Sequence, residues 1–538
     1  MPSVFEQEAR SVNMIEHLET LTEEEGELEA REIFERQIGA TGVPTKRSVA
    51  GNRPVLKFVV GREAPIYQHA LRETKRSVSE ENPFRGTLGL LVQKVDRFPE
   101  SLEATALLTL LTRSTRAVVE GETERGFSVP DVPFQNQEDH KLAQAATHVV
   151  VGRRGVGKST LICRAVGILR ETAATVAVVD VQAYSTLIGV DLQREILRDI
   201  INALVEDAKR VSAKFNLKIE AQKLLSISDE LAAGKTPVSA AIPNIKRELQ
   251  TITGITKRGA FVFLDDFHLL EWNEQPKVLH LVHGALKGAN GWLKVAGLRS
   301  LLNHYSAATR EGLQIPGDAQ IISLDLTLEN PEAAESHLRA ILQSFLGAVG
   351  YSVSAAVLPE QAFRRLAWAT AGVPRDFLQM FARAVEHARR NKRAVVTLSD
   401  VNAAIGEFGQ GKMDELSKDA RNSEGELRDM LSALEMYCLD DKQINAFLVA
   451  SEESNERRLV QILSDLRLVH LINQSITPDR PGKRYAAYIL DYSLFTGFRR
   501  RQRIEEMVPQ EGQFKAQELR RLPRVNPGFL EKYRTTEK

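Results

Sequence analysis

Nothing constrains this chain more than the run Val149-Val150-Val151-Gly152-Arg153-Arg154-Gly155-Val156-Gly157-Lys158-Ser159-Thr160. It fits G-x-x-x-x-G-K-[ST], directly after the apolar strand-like run Thr147 to Gly152 and ahead of a helical pattern. The glycines let the backbone turn with its N–H groups inward, so a polyphosphate lies in a cup of donors at a helix N-terminus. Lys158 is expected to neutralise β and γ oxygens, and Ser159 to offer its hydroxyl to Mg²⁺. Gly152, Arg153, Arg154, Gly155, Val156, Gly157 and Thr160 complete the expected lining. ATP and Mg²⁺ are therefore the cofactors implied.

A phosphate loop needs a second strand that ends in an acid, because the metal must be held from the opposite side. Phe261 to Leu264 followed by Asp265 and Asp266 supply it. Asp265 is expected to hold the metal through water, and Asp266 to orient or deprotonate the attacking water. Asp reaches less far than Glu, so hydrolysis is expected to be slow or to depend on a neighbouring subunit.

With 538 residues the chain is too long for one core, and 43% hydrophobic against 26% charged residues is an ordinary globular balance. Lys plus Arg equals Asp plus Glu at 71 each, so any nucleic-acid surface must be a local patch. Cys163 and Cys438 lie far apart, which argues against disulfide scaffolds and zinc modules. The opening MPSVFEQEAR has no apolar h-region, and no stretch has the length of a membrane span. A cytoplasmic protein without a membrane partner, nucleoid-associated if DNA-bound, is the expectation.

Residues 1–126 read as a mixed N-terminal region of unknown role, with a helix around Leu18 to Gln37, a strand at Pro54 to Val60 and a helix at Glu100 to Ser114. From 127 to 326 hydrophobic strands alternate with amphipathic helices, the texture of a parallel sheet flanked by helices. The strands are expected at Thr147 to Gly152, Thr175 to Val181, Ala260 to Asp266, Leu293 to Leu298 and Ala319 to Leu326. Helical periodicity fills 327–412, a polar linker is expected at 413–426, a last folded unit at 427–500, and a basic tail at 501–538. The fold class expected is an α/β P-loop NTPase core with a helical lid and a C-terminal winged-helix domain.

In their order along the chain, several stretches resemble the AAA+ ATPases and, within them, the Orc/Cdc6-like group. PFQNQEDHKLAQAATHVVVGRRGVGKST looks like the leading segment and Walker A motif, FVFLDDFHLL like Walker B, and GWLKVAGLRS like the sensor 1 strand. The resemblance implies that Arg299 or Ser300 senses the γ-phosphate. AGVPRDFLQMFARAV is similar to the sensor 2 segment, which carries that role to Arg375, and VTLSDVNAAI resembles the closing helix of such a lid. An arginine finger would come from the next protomer, with Arg310 as its weak candidate. A homo-oligomer or a partner ATPase is implied, because such sites are completed in trans.

The last unit reads as helices followed by one hairpin, the order of a winged helix. Asn455 to Leu468 would be the helix offered to the major groove of double-stranded DNA, with Arg457 and Arg458 at its start. Lys483 and Arg484 fall in the wing, and Arg499, Arg500, Arg501 and Arg503 form a basic run. Glu452, Glu453 and Asp465 temper that reading. The function expected is a Mg-dependent ATPase switch that assembles on or acts at DNA. The rival is a STAND-like signalling or antiviral defence ATPase that oligomerises on a protein trigger, with the N-terminal region recruiting an effector.

Overall fold

The computed structural model describes residues 21–94, 97–114, 127, 129–130, 132–134, 136–419, 423–478, 483–496, 504–508 and 514–534. At the N-terminal side, α1 (Glu23–Ile38) starts in a capping box between Thr22 and Glu25, which satisfies two orphan helix donors. Its buried face, Ala30, Phe34 and Ile38, repeats every four residues and packs on a sheet of β1 (Thr45–Ala50), β2 (Arg53–Val60) and β3 (Leu88–Val92). Phe34 stacks on Phe58 with 4.1 Å between centroids. α2 (Pro65–Ser77) and α3 (Leu102–Arg113) complete this unit.

The base contains α4 (Glu138–Leu142), β4 (His148–Val151), α5 (Lys158–Arg170), β5 (Thr175–Asp180), α6 (Gly189–Phe215), α7 (Gln222–Ala232), α8 (Val238–Thr256), β6 (Ala260–Asp265), α9 (Gln275–Leu286) and β7 (Gly291–Gly297). A two-stranded hairpin, β8 (Tyr305–Ser306) with β9 (Glu311–Gly312), precedes β10 (Gln320–Ser323). The main sheet runs β10-β4-β7-β6-β5, every pair parallel. Helices cover both faces, so β4 and β6 are apolar along almost their whole length and were readable as continuous runs. This is a P-loop NTPase core. β7 lies between β4 and β6, so the loop after β4 and the acids after β6 face each other across one strand, where ligands of open parallel sheets bind.

Four helices follow: α10 (Pro331–Ala348), α11 (Glu360–Ala369), α12 (Pro374–Arg390) and α13 (Leu398–Asp419). α13 runs on through the first half of the stretch expected as linker, to Asp419. The reason is long-range: Lys412, 1% exposed, inserts its ammonium between Asp376 of α12 and Asp491, an attachment that no local pattern reveals.

The C-terminal unit consists of α14 (Glu424–Glu435), β11 (Ala446–Ala450), α15 (Asn455–Asp465), β12 (Val469–Ile476), β13 (Tyr485–Leu490), α16 (Ala516–Arg520), β14 (Arg524–Val525) and α17 (Phe529–Arg534). Its sheet runs β12-β13-β11-β14. The β12–β13 hairpin occupies the place expected of a wing, while between β11 and α15 there is only a short turn. The stretch expected as a basic tail folds back: β14 pairs in parallel with β11, and Leu519, Leu522, Val525, Phe529 and Leu530 are buried. Phe529 and Tyr533 pack on Tyr437, which explains why these residues leave solvent.

Candidate nucleotide site

The phosphate loop takes the turn its glycines permit. Gly155 and Gly157 have φ of +80° and +100°, a region L side chains rarely adopt. A Cβ on Gly155 would also lie 3.0 Å from the Cβ of Arg375. Gly157 caps α5 without any side-chain hydrogen bond, so the first N–H groups of that helix keep their donors for an anion. Lys158 begins α5, is buried, and donates from Nζ to the carbonyls of Gly152 (2.9 Å) and Arg153 (3.1 Å). Burial pulls its pKa below the usual lysine range, while Asp266, Asp265, Asp325 and Asp465 pull the other way.

Asp265 ends β6, and its Oδ1 accepts the N–H of Asp266 at 2.9 Å. Asp266 sits in the left-handed region at φ +49°, which turns it out of the strand direction. Burial, then the neighbouring Asp265 charge, raise its pKa to about 6. Asp180, opposite Asp265 in the β5–β6 register, adds a further negative charge that acts on Asp266. His268 is buried beside the cations, and its pKa is lowered to about 3 by burial, Lys158 and Arg154.

The expected lining residues separate into two groups. Gly155, Val156, Gly157, Lys158, Ser159 and Thr160 form the turn and first helical residues, and Arg375 comes to them from α12, with its N–H donated to the Gly155 carbonyl at 3.3 Å. The Arg153 side chain is engaged between base and lid. Its guanidinium is 3% exposed and donates to the carbonyls of Leu326 (2.8 Å) and Ala371 (3.0 Å), and its N–H donates to Asp325. It is a fastener between base and lid, because five donors in a fixed fork suit several fixed acceptors. Gly372, at φ +79°, belongs to the same joint, since a Cβ there would meet the Leu326 carbonyl at 2.6 Å.

Of the two sensor candidates, Arg299 is exposed and donates to Ser323 Oγ at 3.1 Å. The Ser300 N–H is held by Asp465 Oδ2 at 2.7 Å. Arg310 is exposed at the tip of the β8–β9 hairpin, with φ +61°.

The DNA candidates are scattered. α15 is largely interior: among its residues only Asn455 and Arg458 are exposed. Arg457 donates to the Ser451 carbonyl, and Arg458 pairs with Glu426 at 2.8 Å. The C-terminal end of this helix packs on the base, and its exposed residues lie at its start. Lys483 and Arg484 are exposed at the hairpin. Arg499, Arg500, Arg501 and Arg503 lie outside the described residues.

Sequence reasoning missed Asp325, Asp180 and the contact of Asp465 with the base. The first two had a signal, since each is the next-to-last residue of an apolar strand-like run; Asp465 had none.

No protein-family model matches the chain, and no curated protein does. Solved structures similar to it include the Cdc6p protein of Pyrobaculum aerophilum, at 12% identity and TM-score 0.35, covering 77% of this chain and 97% of that one. The ORC2 protein of Aeropyrum pernix, in ADPNP and ADP complexes, matches at 14% identity and TM-score 0.37, over 77% of this chain and 97% of that one. The Walker-type ATPase PABY2304 of Pyrococcus abyssi matches at 16% identity and TM-score 0.42, over 68% of this chain and 95% of that one. The P-loop core rests on this chain's own strand order and loop geometry.

Proposed function

We propose that the chain is a Mg-dependent ATPase of the AAA+ type, working as a switch that acts at DNA through its C-terminal unit. The observation that carries the nucleotide reading is the buried Lys158 ammonium inside a left-handed glycine turn, facing Asp265 and Asp266 across one strand. In this reading the amides of Gly155 to Ser159 bind the β-phosphate, and Lys158 spans the β and γ oxygens. Ser159 and Asp265 suit a hard cation that takes few protein ligands and keeps water and phosphate oxygens, and Mg²⁺ held there would neutralise charge on the phosphates. Asp266, ionised at neutral pH, takes the proton of the water that attacks the γ-phosphorus as the bond to the β-phosphate oxygen breaks, leaving ADP and phosphate.

Arg375 is suited to contact the γ-phosphate from the lid, and Arg310 to reach a neighbouring protomer's site. Either way, assembly into a homo-oligomer would complete the site. Support for DNA is limited to the exposed Lys483 and Arg484 and the basic run around Arg499, Arg500 and Arg501.

The buried placement of α15 favours a second reading, a STAND-like signalling or defence ATPase held closed until a protein trigger releases it. Measuring ATP turnover of the purified chain with and without duplex DNA separates the two. DNA action predicts stimulation by duplex, together with a salt-sensitive gel shift whose log–log slope shrinks by about one unit in K483A and likewise in R484A. Turnover indifferent to DNA, with no shift in ATP or in ADP, rules DNA action out and leaves the protein-triggered reading.

A further inference from the structure

The sheet of the N-terminal unit has an inner and an outer face. In β2, Leu56, Phe58 and Val60 are buried, Phe58 against Phe34 of α1, so the alternate residues Val55, Lys57 and Val59 stand on the opposite side. Register sets their neighbours. Lys46 of β1 lies directly opposite Lys57, and Ala50 directly opposite Arg53. Lys46, Ser48, Ala50, Arg53, Val55 and Lys57 therefore share the outer face, and Lys46, Ser48 and Arg53 are exposed. On β3, Gly89 stands beside Lys57 and has no side chain to cover it.

From Gln37 to Arg62 the chain has five cations and no Asp or Glu, in a sequence whose acids and bases are equal at 71 each. Two of the five are engaged inside the protein. Arg47, on the inner side of β1, pairs with Glu27 of α1, and Arg62 lies 4.1 Å over the centre of the Tyr351 ring. The other three, Lys46, Arg53 and Lys57, have no ion pair among the described residues, and all three belong to the outer face. Lys46 and Lys57 set like charges directly across two strands, which weakens a sheet unless something else neutralises them. A lysine on an edge strand also deters pairing with another chain, which accounts for Lys46 on β1 and not for Lys57 on the central strand.

None of the residues of this face is aromatic, so it offers no ring on which the bases of a single strand could stack. Compact ammonium groups on long stems, a guanidinium and the Ser48 hydroxyl instead suit phosphate oxygens. We propose that this face grips the phosphate backbone of duplex DNA through Lys46, Arg53 and Lys57, a contact that presupposes the chain's action at DNA but not its route through the C-terminal unit. Binding there is indifferent to base sequence and sensitive to salt, because each phosphate neutralised releases counterions.

The test uses the full chain and a labelled DNA duplex, reading affinity by fluorescence anisotropy across a salt series. Lys46→Ala, Arg53→Ala and Lys57→Ala combined should lower the log–log salt slope by about three units, and Lys46→Ala alone by about one. Lys46→Arg with Lys57→Arg keeps both charges and should leave the slope as it was. Circular dichroism and ATP turnover without DNA should match the unaltered chain, since none of the three residues is buried. An unchanged slope in the triple variant, with a smaller one in K483A or R484A, overturns the inference and leaves the C-terminal contact standing. Failure of the unaltered chain to bind duplex overturns both. Weaker self-association of the triple variant with duplex binding intact assigns the face to a second copy of the chain and overturns the inference, as does a slope that shrinks only on an RNA duplex of the same sequence.

Discussion

Lys158→Ala is expected to lower ATP turnover by about 10²- to 10³-fold, the scale on which a preorganised charge-stabilising donor acts. Its ammonium starts inside the glycine turn, already on the Gly152 and Arg153 carbonyls, a position that an alanine leaves without any cation. Burial already disfavours this ammonium in the folded chain, so the loss should be specific to chemistry, with circular dichroism of the variant unchanged. A steady-state phosphate-release assay checks it, and a variant that hydrolyses ATP at the parental rate would show that the site is misassigned.

Asp491→Ala should destabilise the chain by about 3–5 kcal/mol, the cost of stranding a buried charge. It leaves the Lys412 ammonium, 1% exposed, without its 2.5 Å partner and removes the acceptor of His470 Nε2–H. Thermal unfolding followed by circular dichroism reads the loss, as an early transition if the lid and C-terminal unit melt apart from the base.

The same cluster gives stability a pH dependence of definite sign. Burial alone would raise the Asp491 pKa, but Lys412 and His470 hold it well below the usual carboxylate range. The stability it contributes is complete above the unfolded carboxyl pKa of about 3.9 and is lost as pH falls through the lower folded value. His470, lowered to about 4 mainly by burial, acts in the same direction. Folding keeps it neutral, so stability already declines as pH drops from about 6.5 toward that value. Melting temperatures between pH 7 and pH 4 should therefore fall more steeply in the unaltered chain than in His470→Gln. Parallel curves would contradict the assignment.

What could be read beforehand follows from how local each signal is. Strands buried on both faces announce themselves as apolar runs, and the glycine turn carries its own spacing, so β4, β6, the phosphate loop and the acids after β6 were legible. Arg153 was expected on the phosphates because its position in the motif said so. Its acceptors, the carbonyls of Leu326 and Ala371, lie more than 170 residues away and leave no trace in the local pattern. The polar stretch from Met413 resembled a linker because the residue that anchors its helix, Lys412, depends on Asp491. α15 was read as a presented helix from its place before the hairpin and from Arg457 and Arg458 at its start, and nothing in its own residues tells that its far end packs on Arg154 and Ser300.

In the proposed function the amides after Gly152 would enclose the phosphates of ATP while Asp265 would steady the magnesium. An experimental structure of the full chain with Mg²⁺ and a non-hydrolysable ATP analogue tests it most directly. Phosphate density is expected against the amides of Gly155 to Ser159, within reach of the Lys158 ammonium, with a metal between Ser159 and Asp265. Nucleotide bound elsewhere, or a metal remote from Asp265, would contradict it.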